Sequence, residues 1–274
     1  MYKLGWFSTG RGPGSLGLLK TMMEHIQSGD IDARIDFVFC SRERGETDAT
    51  DTFLATVEGY GLPLVTFSYR KFRAGRQTMD EQGNLAPWRL DYDREVMNRL
   101  GGFSPDLSIL AGYMLITGAE MCRRYDMINL HPAAPWGPAG TWQQVIWQLI
   151  GNKSEETGVM MHLATPELDE GPAVTYCTFP IQGGPFDVLW QEVEGLSLEE
   201  IKQGHGEDNA LFQEIRRHGY VREAPLILAT VRAFSQGKLK ITADKQVVDT
   251  EGRPISGYNL TGEINEIIKA KPAE

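Results

Sequence analysis

Asp106-Leu107-Ser108-Ile109-Leu110-Ala111 and Met127-Ile128-Asn129-Leu130 are two short apolar runs, with Thr117-Gly118-Ala119-Glu120 between them. Runs of this length and apolarity, bounded by turn signals, read as strands buried inside a sheet. The four residues from Thr117 to Glu120 read as a capping box, in which hydroxyl and carboxylate satisfy free N–H groups at a helix start. Upstream the alternation repeats. Gly5-Trp6-Phe7-Ser8 reads as a strand entering a glycine-rich turn, and Leu16, Leu18, Leu19, Met22 and Met23 give the next segment a helical apolar face. Ile35 to Cys40 is a second strand, about 51–58 a helix, Leu62 to Phe67 a third strand and Asp91 to Leu100 a further helix. A long polar loop is expected from Ser68 to Pro87. Strands alternating with helices in this way imply a mostly parallel sheet with helices on both faces.

Downstream, Thr141-Trp142-Gln143-Gln144 opens a helix whose stripe of Trp142, Val145, Ile146, Leu149 and Ile150 ends at Gly151. Val159 to Ala164 and Ala173 to Thr178 are two more strands, and the short link between them predicts antiparallel neighbours. Gly183 to Gly206 is polar and reads as an excursion, with a capping box at Ser197-Leu198-Glu199-Glu200. Pro225 is expected to open a helix that ends at Gly237, and Thr250 to Pro254 to form a hairpin turn.

Charge and composition exclude several function classes. The 274 residues carry 27 Lys and Arg against 37 Asp and Glu, a net charge of −10. Nucleic-acid binding, which rests on cations neutralising phosphates, is disfavoured. No apolar run approaches the length of a membrane helix, and Met1 to Trp6 shows no signal-peptide pattern. Three scattered cysteines, Cys40, Cys122 and Cys177, fit neither a disulfide scaffold nor a CxxC metal site, and point to a reducing cytoplasm. With five histidines, a multi-His metal site is not expected.

Three places can carry chemistry. Ser8-Thr9-Gly10-Arg11-Gly12-Pro13-Gly14-Ser15 lies between a strand and a helix, where backbone N–H groups converge on an anion. It is no P-loop, since Leu18 stands where Lys is required. Ser41-Arg42 replaces the acid that an NAD fold places after its second strand. Arg42 would suit an NADP phosphate, but no Tyr is followed four residues later by the Lys of a short-chain reductase. The second place is Asn129-Leu130-His131-Pro132, where Asn129 and His131 fall on one face at the end of a buried strand. An amide donor beside an imidazole can hold an oxyanion. The third is the acidic turn Glu167-Leu168-Asp169-Glu170-Gly171-Pro172. A carboxylate placed against a histidine suits that histidine to proton transfer near neutral pH.

These motifs, in this order, resemble the formyltransferase family that uses 10-formyltetrahydrofolate. The resemblance runs from the glycine loop through Tyr92-Asp93-Arg94-Glu95 and Leu110-Ala111-Gly112-Tyr113-Met114 to Asn129-Leu130-His131-Pro132. It continues through Gly158 to His162, the turn Leu168-Asp169-Glu170-Gly171-Pro172, and Glu251 to Pro254. It implies a Rossmann-like, three-layer α/β fold over 1–274 as one catalytic domain. A phosphate-binding half would cover about 1–104. A folate-binding and catalytic half would cover about 105–274, with the excursion at about 183–206. It implies a catalytic triad of Asn129, His131 and Asp169. Phosphate binding would fall to Gly10, Arg11, Gly12, Gly14, Ser15 and Arg89. Folate binding would fall to Tyr113, Met114, Leu115 and Ile116 with Thr165, Glu167 and Leu168.

The co-substrate implied is 10-formyltetrahydrofolate, with no metal, and the acceptor is a phosphorylated amine, glycinamide ribonucleotide. Another small amine such as an amino sugar, or hydrolysis of the formyl donor, stays open. The related hydrolases carry an N-terminal regulatory domain, whereas here the first strand is expected at residue 2. A homodimer is also open. The family's usual Gly-Asn-Gly-Ser-Asn is replaced by Gly10 to Leu16 with Arg11, and a family arginine of the folate slot is Leu115. Arg70, Lys71, Arg73 and Arg76 could replace that arginine or form a solvated loop.

Overall fold

The computed structural model of the protein describes residues 1–77, 79, 85–166 and 171–270. In chain order the first elements are β1 (Tyr2–Ser8), α1 (Pro13–Gln27), β2 (Ala33–Cys40), α2 (Asp48–Gly59) and β3 (Leu64–Thr66). Next come α3 (Tyr69–Arg73), α4 (Pro87–Arg99), β4 (Leu107–Leu110), α5 (Ala119–Arg124) and β5 (Met127–His131). The chain continues with α6 (Trp142–Gly151), β6 (Glu156–Leu163), β7 (Ala173–Pro180), α7 (Phe186–Glu192), α8 (Leu198–His205) and α9 (Ala210–Ser235). It ends with β8 (Lys240–Ile241), β9 (Val247–Val248), β10 (Tyr258–Asn259) and α10 (Thr261–Ala270). The fold is α/β with a mostly parallel sheet, as the alternation of apolar runs predicts.

The chain divides into two compact units. The first comprises Met1–Asn129, Leu163–Gly171 and Val231–Gln246. In it β1 pairs in parallel with both β2 and β4, β2 pairs with β3, and β4 pairs with β5. Period-2 alternation sends Phe7, Phe37 and Phe39 to one face, where Tyr92 and Val96 of α4 and Met121 and Cys122 of α5 pack on them. Leu4, Trp6, Val38 and Ile109, on the opposite face, are also fully buried. Helices therefore cover both sides, and strands covered on both sides read as continuous apolar runs.

The second unit comprises Leu130–His162, Pro172–Thr230 and Val247–Glu274. Here β6 and β7 are antiparallel, as their short link predicts, and β10 adds to β7 in parallel. Val145, Ile146, Leu149 and Ile150 of α6 pack with Phe179, Phe186, Ile201 and Phe212. The hairpin turn near the end forms, with the Asp249 N–H donating to the Arg253 carbonyl.

Four local expectations are corrected. Thr117 does not cap α5, whose N-cap is Gly118 with no side-chain bond; the Thr117 hydroxyl meets Cys122 Sγ, and Glu120 pairs with Arg94. Pro225 lies inside α9, not at its start. Leu211, Phe212 and Ile215 before it and Leu226, Ile227 and Ala229 after it are all buried, so packing holds both flanks of one helix. The segment from Ser68 carries a short helix, α3, capped by the Ser68 hydroxyl on the Lys71 N–H, and α4 begins at Pro87. The 183–206 excursion contains α7 and α8, whose Phe186 and Ile201 belong to the core of the second unit.

Candidate functional site

The glycine loop, the Gly112–Thr117 segment and the His131 turn follow the C-terminal ends of β1, β4 and β5 respectively. Parallel sheets expose their ligand-binding loops at that end, because each strand there hands over to a crossover. In the glycine loop, Gly10 adopts a left-handed φ of 58°. Helix α1 then starts from Gly12 as N-cap, with Pro13 in the first turn and no side-chain cap. The first-turn N–H groups of Gly14 and Ser15 therefore have no intrahelical acceptor and face the loop. Arg11 is exposed and Ser15 half-buried. Thr9 is buried; its N–H donates to the Gly112 carbonyl (3.0 Å), and its hydroxyl accepts from the Met114 N–H (3.0 Å) and from the Ser41 hydroxyl (3.1 Å).

Gly112 has φ 68°, and a Cβ there would lie 2.3 Å from Ser15 Oγ. At this left-handed φ only glycine sits without strain so close to the first turn of α1. The segment that follows has a pinned backbone and open side chains. Met114 is 60% exposed, Leu115 and Ile116 are half-buried, and Tyr113 is buried.

Arg89, expected at a phosphate, is fully buried, so its guanidinium presents no surface to one. It pairs with Asp93 one turn along α4 (2.5 Å) and donates to the Ile116 carbonyl. Burial pushes the Asp93 carboxyl up against the opposing pull of Arg89. Asp93 also accepts from the Gly118 N–H at 2.7 Å. Removing one partner of such a buried pair costs about 3–5 kcal/mol, because the other charge is left uncompensated.

On β5, Asn129 is half-buried and His131 is 3% exposed. Two residues apart on one strand, they share a face. His131 Nε2 lies 3.0 Å from the Pro138 carbonyl, which can only accept, so Nε2 carries the hydrogen. His162 on β6, 2% exposed, stands edge-on to the His131 ring with centroids 6.0 Å apart. His162, Thr9 and Asp93 were not singled out as site residues from sequence. The i,i+4 spacing of Arg89 and Asp93 was the one available signal; the contacts of Thr9 and His162 come from strand pairing.

Asp169, Glu167 and Leu168 lie outside the described residues, while Thr165 is half-buried. Their neighbour Gly171 shows why its motif needs glycine: a Cβ there would lie 1.7 Å from the Leu163 carbonyl oxygen. Of the basic group, Lys71 is paired with Glu43 (2.7 Å), and Arg76 stacks on Phe72 and Trp88. Among the described residues no cluster of His, Cys, Asp or Glu could hold a metal ion. No described helix is long and apolar enough to cross a membrane.

The profile of the formyl transferase family matches residues 15–184. That is more than half of the chain and includes the whole stretch from Gly112 to the His131 turn. The chain belongs to the formyl transferase family. It is 25% identical over 231 residues to phosphoribosylglycinamide formyltransferase of Escherichia coli K12, covering 84% of this chain and 92% of that one. The enzyme of that name from Dictyostelium discoideum is 32% identical over 194 residues, covering 67% of this chain and 87% of that one. Among solved structures, phosphoribosylglycinamide formyltransferase of Coxiella burnetii shares the fold. Its TM-score is 0.64 at 19% identity, covering 94% of this chain and 98% of that one. The α/β formyltransferase fold expected from the motifs is thus the fold of this family.

Proposed function

We propose that this formyltransferase moves the formyl group of 10-formyltetrahydrofolate onto the amine of glycinamide ribonucleotide, a step of purine synthesis. The observation that carries the reading is Asn129 and His131 on one face at the end of β5, in a chain whose relatives bear the name of that enzyme. The acceptor amine attacks the formyl carbon as a neutral base. The carbonyl oxygen gains charge, and Asn129 and His131 donate hydrogen bonds to it. The role assigned to Asp169 is to stabilise the imidazolium and, through water, to pass the proton of the amine to the departing folate nitrogen.

Gly10, Arg11, Gly12, Gly14 and Ser15 supply N–H groups, a hydroxyl and a charge to the acceptor phosphate. Tyr113, Met114, Leu115 and Ile116, with Thr165, Glu167 and Leu168, form the slot that reads the pterin. The donor needs no metal. The whole chain is read as one catalytic domain that acts in the cytoplasm.

The test is a coupled assay of purified protein with 10-formyltetrahydrofolate, with and without glycinamide ribonucleotide. Turnover that requires the ribonucleotide is the expected result. Folate release that ignores the acceptor would make the protein a hydrolase, and turnover only with another amine, such as an amino sugar, would reassign the acceptor.

A further inference from the structure

We infer that the buried pair Arg89 and Asp93 positions the folate slot: it sets the backbone of the segment from Tyr113 to Gly118 and does not itself touch substrate. This rests on the reading of that segment as the folate slot. The segment joins β4 to α5 without regular structure of its own. Its backbone groups must find partners outside any helix or strand ladder, or go unpaired. At its start, Thr9 holds the Gly112 carbonyl and the Met114 N–H, each at 3.0 Å. At its end, Arg89 holds the Ile116 carbonyl and Asp93 holds the Gly118 N–H. Between these two clamps the side chains of Met114, Leu115 and Ile116 are open or half-open. A fixed backbone with open side chains suits recognition through main-chain groups.

The charges themselves point the same way. A buried ion pair adds little stability over apolar residues of the same volume. Apolar residues at 89 and 93 could fill the space but could neither donate to Ile116 nor accept from Gly118. The pair is held rigid by its surroundings. The Arg89 guanidinium lies 5.7 Å and 5.3 Å from the ring centres of Tyr69 and Tyr92, and α4 places the two charges one turn apart.

The experiment uses the full chain and the variants Asp93→Asn and Val96→Ala. Val96 lies on the same helix in the same core, which also holds Tyr113, but its side chain can make no hydrogen bond to the slot backbone. Three quantities are read: thermal stability, KM for each substrate, and hydrogen exchange of the amides from Met114 to Gly118. Asp93→Asn is expected to raise KM for the folate at least tenfold and to speed exchange at Gly118 at least tenfold. KM for glycinamide ribonucleotide should change less than threefold. Val96→Ala should lower stability while leaving folate KM and slot exchange within twofold of wild type. If Asp93→Asn behaves like Val96→Ala in both readouts, the positioning role is overturned. Where Asp93→Asn does not fold, Arg89→Lys takes its place, since Lys keeps the charge but has a single ammonium for both partners. If the wild-type protein does not turn over the folate, the proposed function fails. The positioning role is then decided by exchange alone, and unchanged protection at Gly118 in a folded variant overturns it.

Discussion

At the residue scale the informative atom is His131 Nε2, whose hydrogen points at the Pro138 carbonyl. A carbonyl oxygen is a weaker acceptor than an oxyanion, so a developing tetrahedral intermediate can take this hydrogen over. Burial and the edge of His162 hold the imidazole in place. Removing one oxyanion donor costs about 10²–10³ in kcat. His131→Ala and Asn129→Ala should each lower kcat by that order while folate KM moves little, as steady-state kinetics on folded variants will show. Near-normal kcat in either variant would remove the oxyanion role. Arg89 shows the opposite lesson. The family resemblance implied a phosphate ligand, and its burial against Asp93 makes it a structural cation. A side chain's partner is decided by what packs around it, and for Arg89 that includes Ile116, 27 residues away.

At the element scale, the local signals that held are those that need only neighbours in sequence. The Thr141 box closes in both directions: the hydroxyl accepts from the Gln144 N–H at 3.3 Å, and Gln144 Oε1 accepts from the Thr141 N–H at 2.8 Å. Helix α6 begins there, directly after the loop that carries Pro138. Thr141→Ala should destabilise the protein by about 1 kcal/mol, the usual value of an N-cap. Chemical denaturation measures it, and an unchanged midpoint would mean the cap contributes nothing. The Ser197 box closes in the same way. The Thr117 box has the same letters and fails, because Glu120 is drawn to Arg94 and the Thr117 hydroxyl to Cys122. Pro225 likewise carries a start signal that burial of its neighbours overrides.

At the scale of the whole molecule, the ten-unit negative charge and the ionisable groups set the response to acid. His218, packed beside Phe179 and Phe186, is held below its ordinary value of 6.5, first by loss of solvent and then by nearby Arg217. A histidine depressed by folding contributes stability above its unfolded value, and loses it as pH falls through the folded one. Asp30, Glu43, Glu214 and Asp249 are held below the ordinary carboxylate range, mainly by hydrogen bonds. Their contributions are present above the unfolded values near 4 and are lost on further acidification. Solvent reaches all four, Asp30 exposed and the others half-buried, and screens them, so each effect is small. The His218 contribution should therefore fall away below about pH 6.5 and those of the four carboxylates below about pH 4.5, while Asp93 and Glu223, whose carboxyls burial pushes up, gain on acidification. His218→Gln should lose less melting temperature than wild type between about pH 7 and pH 5; identical profiles for the two over that range would contradict the assignment.

The sequence by itself determined the α/β class, the parallel strands β1 to β5, the antiparallel pair β6 and β7, two of the three capping boxes and the family; β10 was not legible in it. These depend on the spacing of apolar residues and on contacts within a few positions along the chain. Glycine placement also belongs here, although the reasons, Ser15 against Gly112 and the Leu163 carbonyl against Gly171, appear only in three dimensions. The tertiary structure alone decided that α9 runs through Pro225 and that the 183–206 excursion carries core residues. It also decided that Thr9 and the Arg89–Asp93 pair clamp one segment at its two ends. Those outcomes rest on contacts between residues tens to more than a hundred positions apart, such as Thr9 with Met114. No local pattern encodes such contacts, because the energy of burying and pairing a group depends on what the fold places beside it.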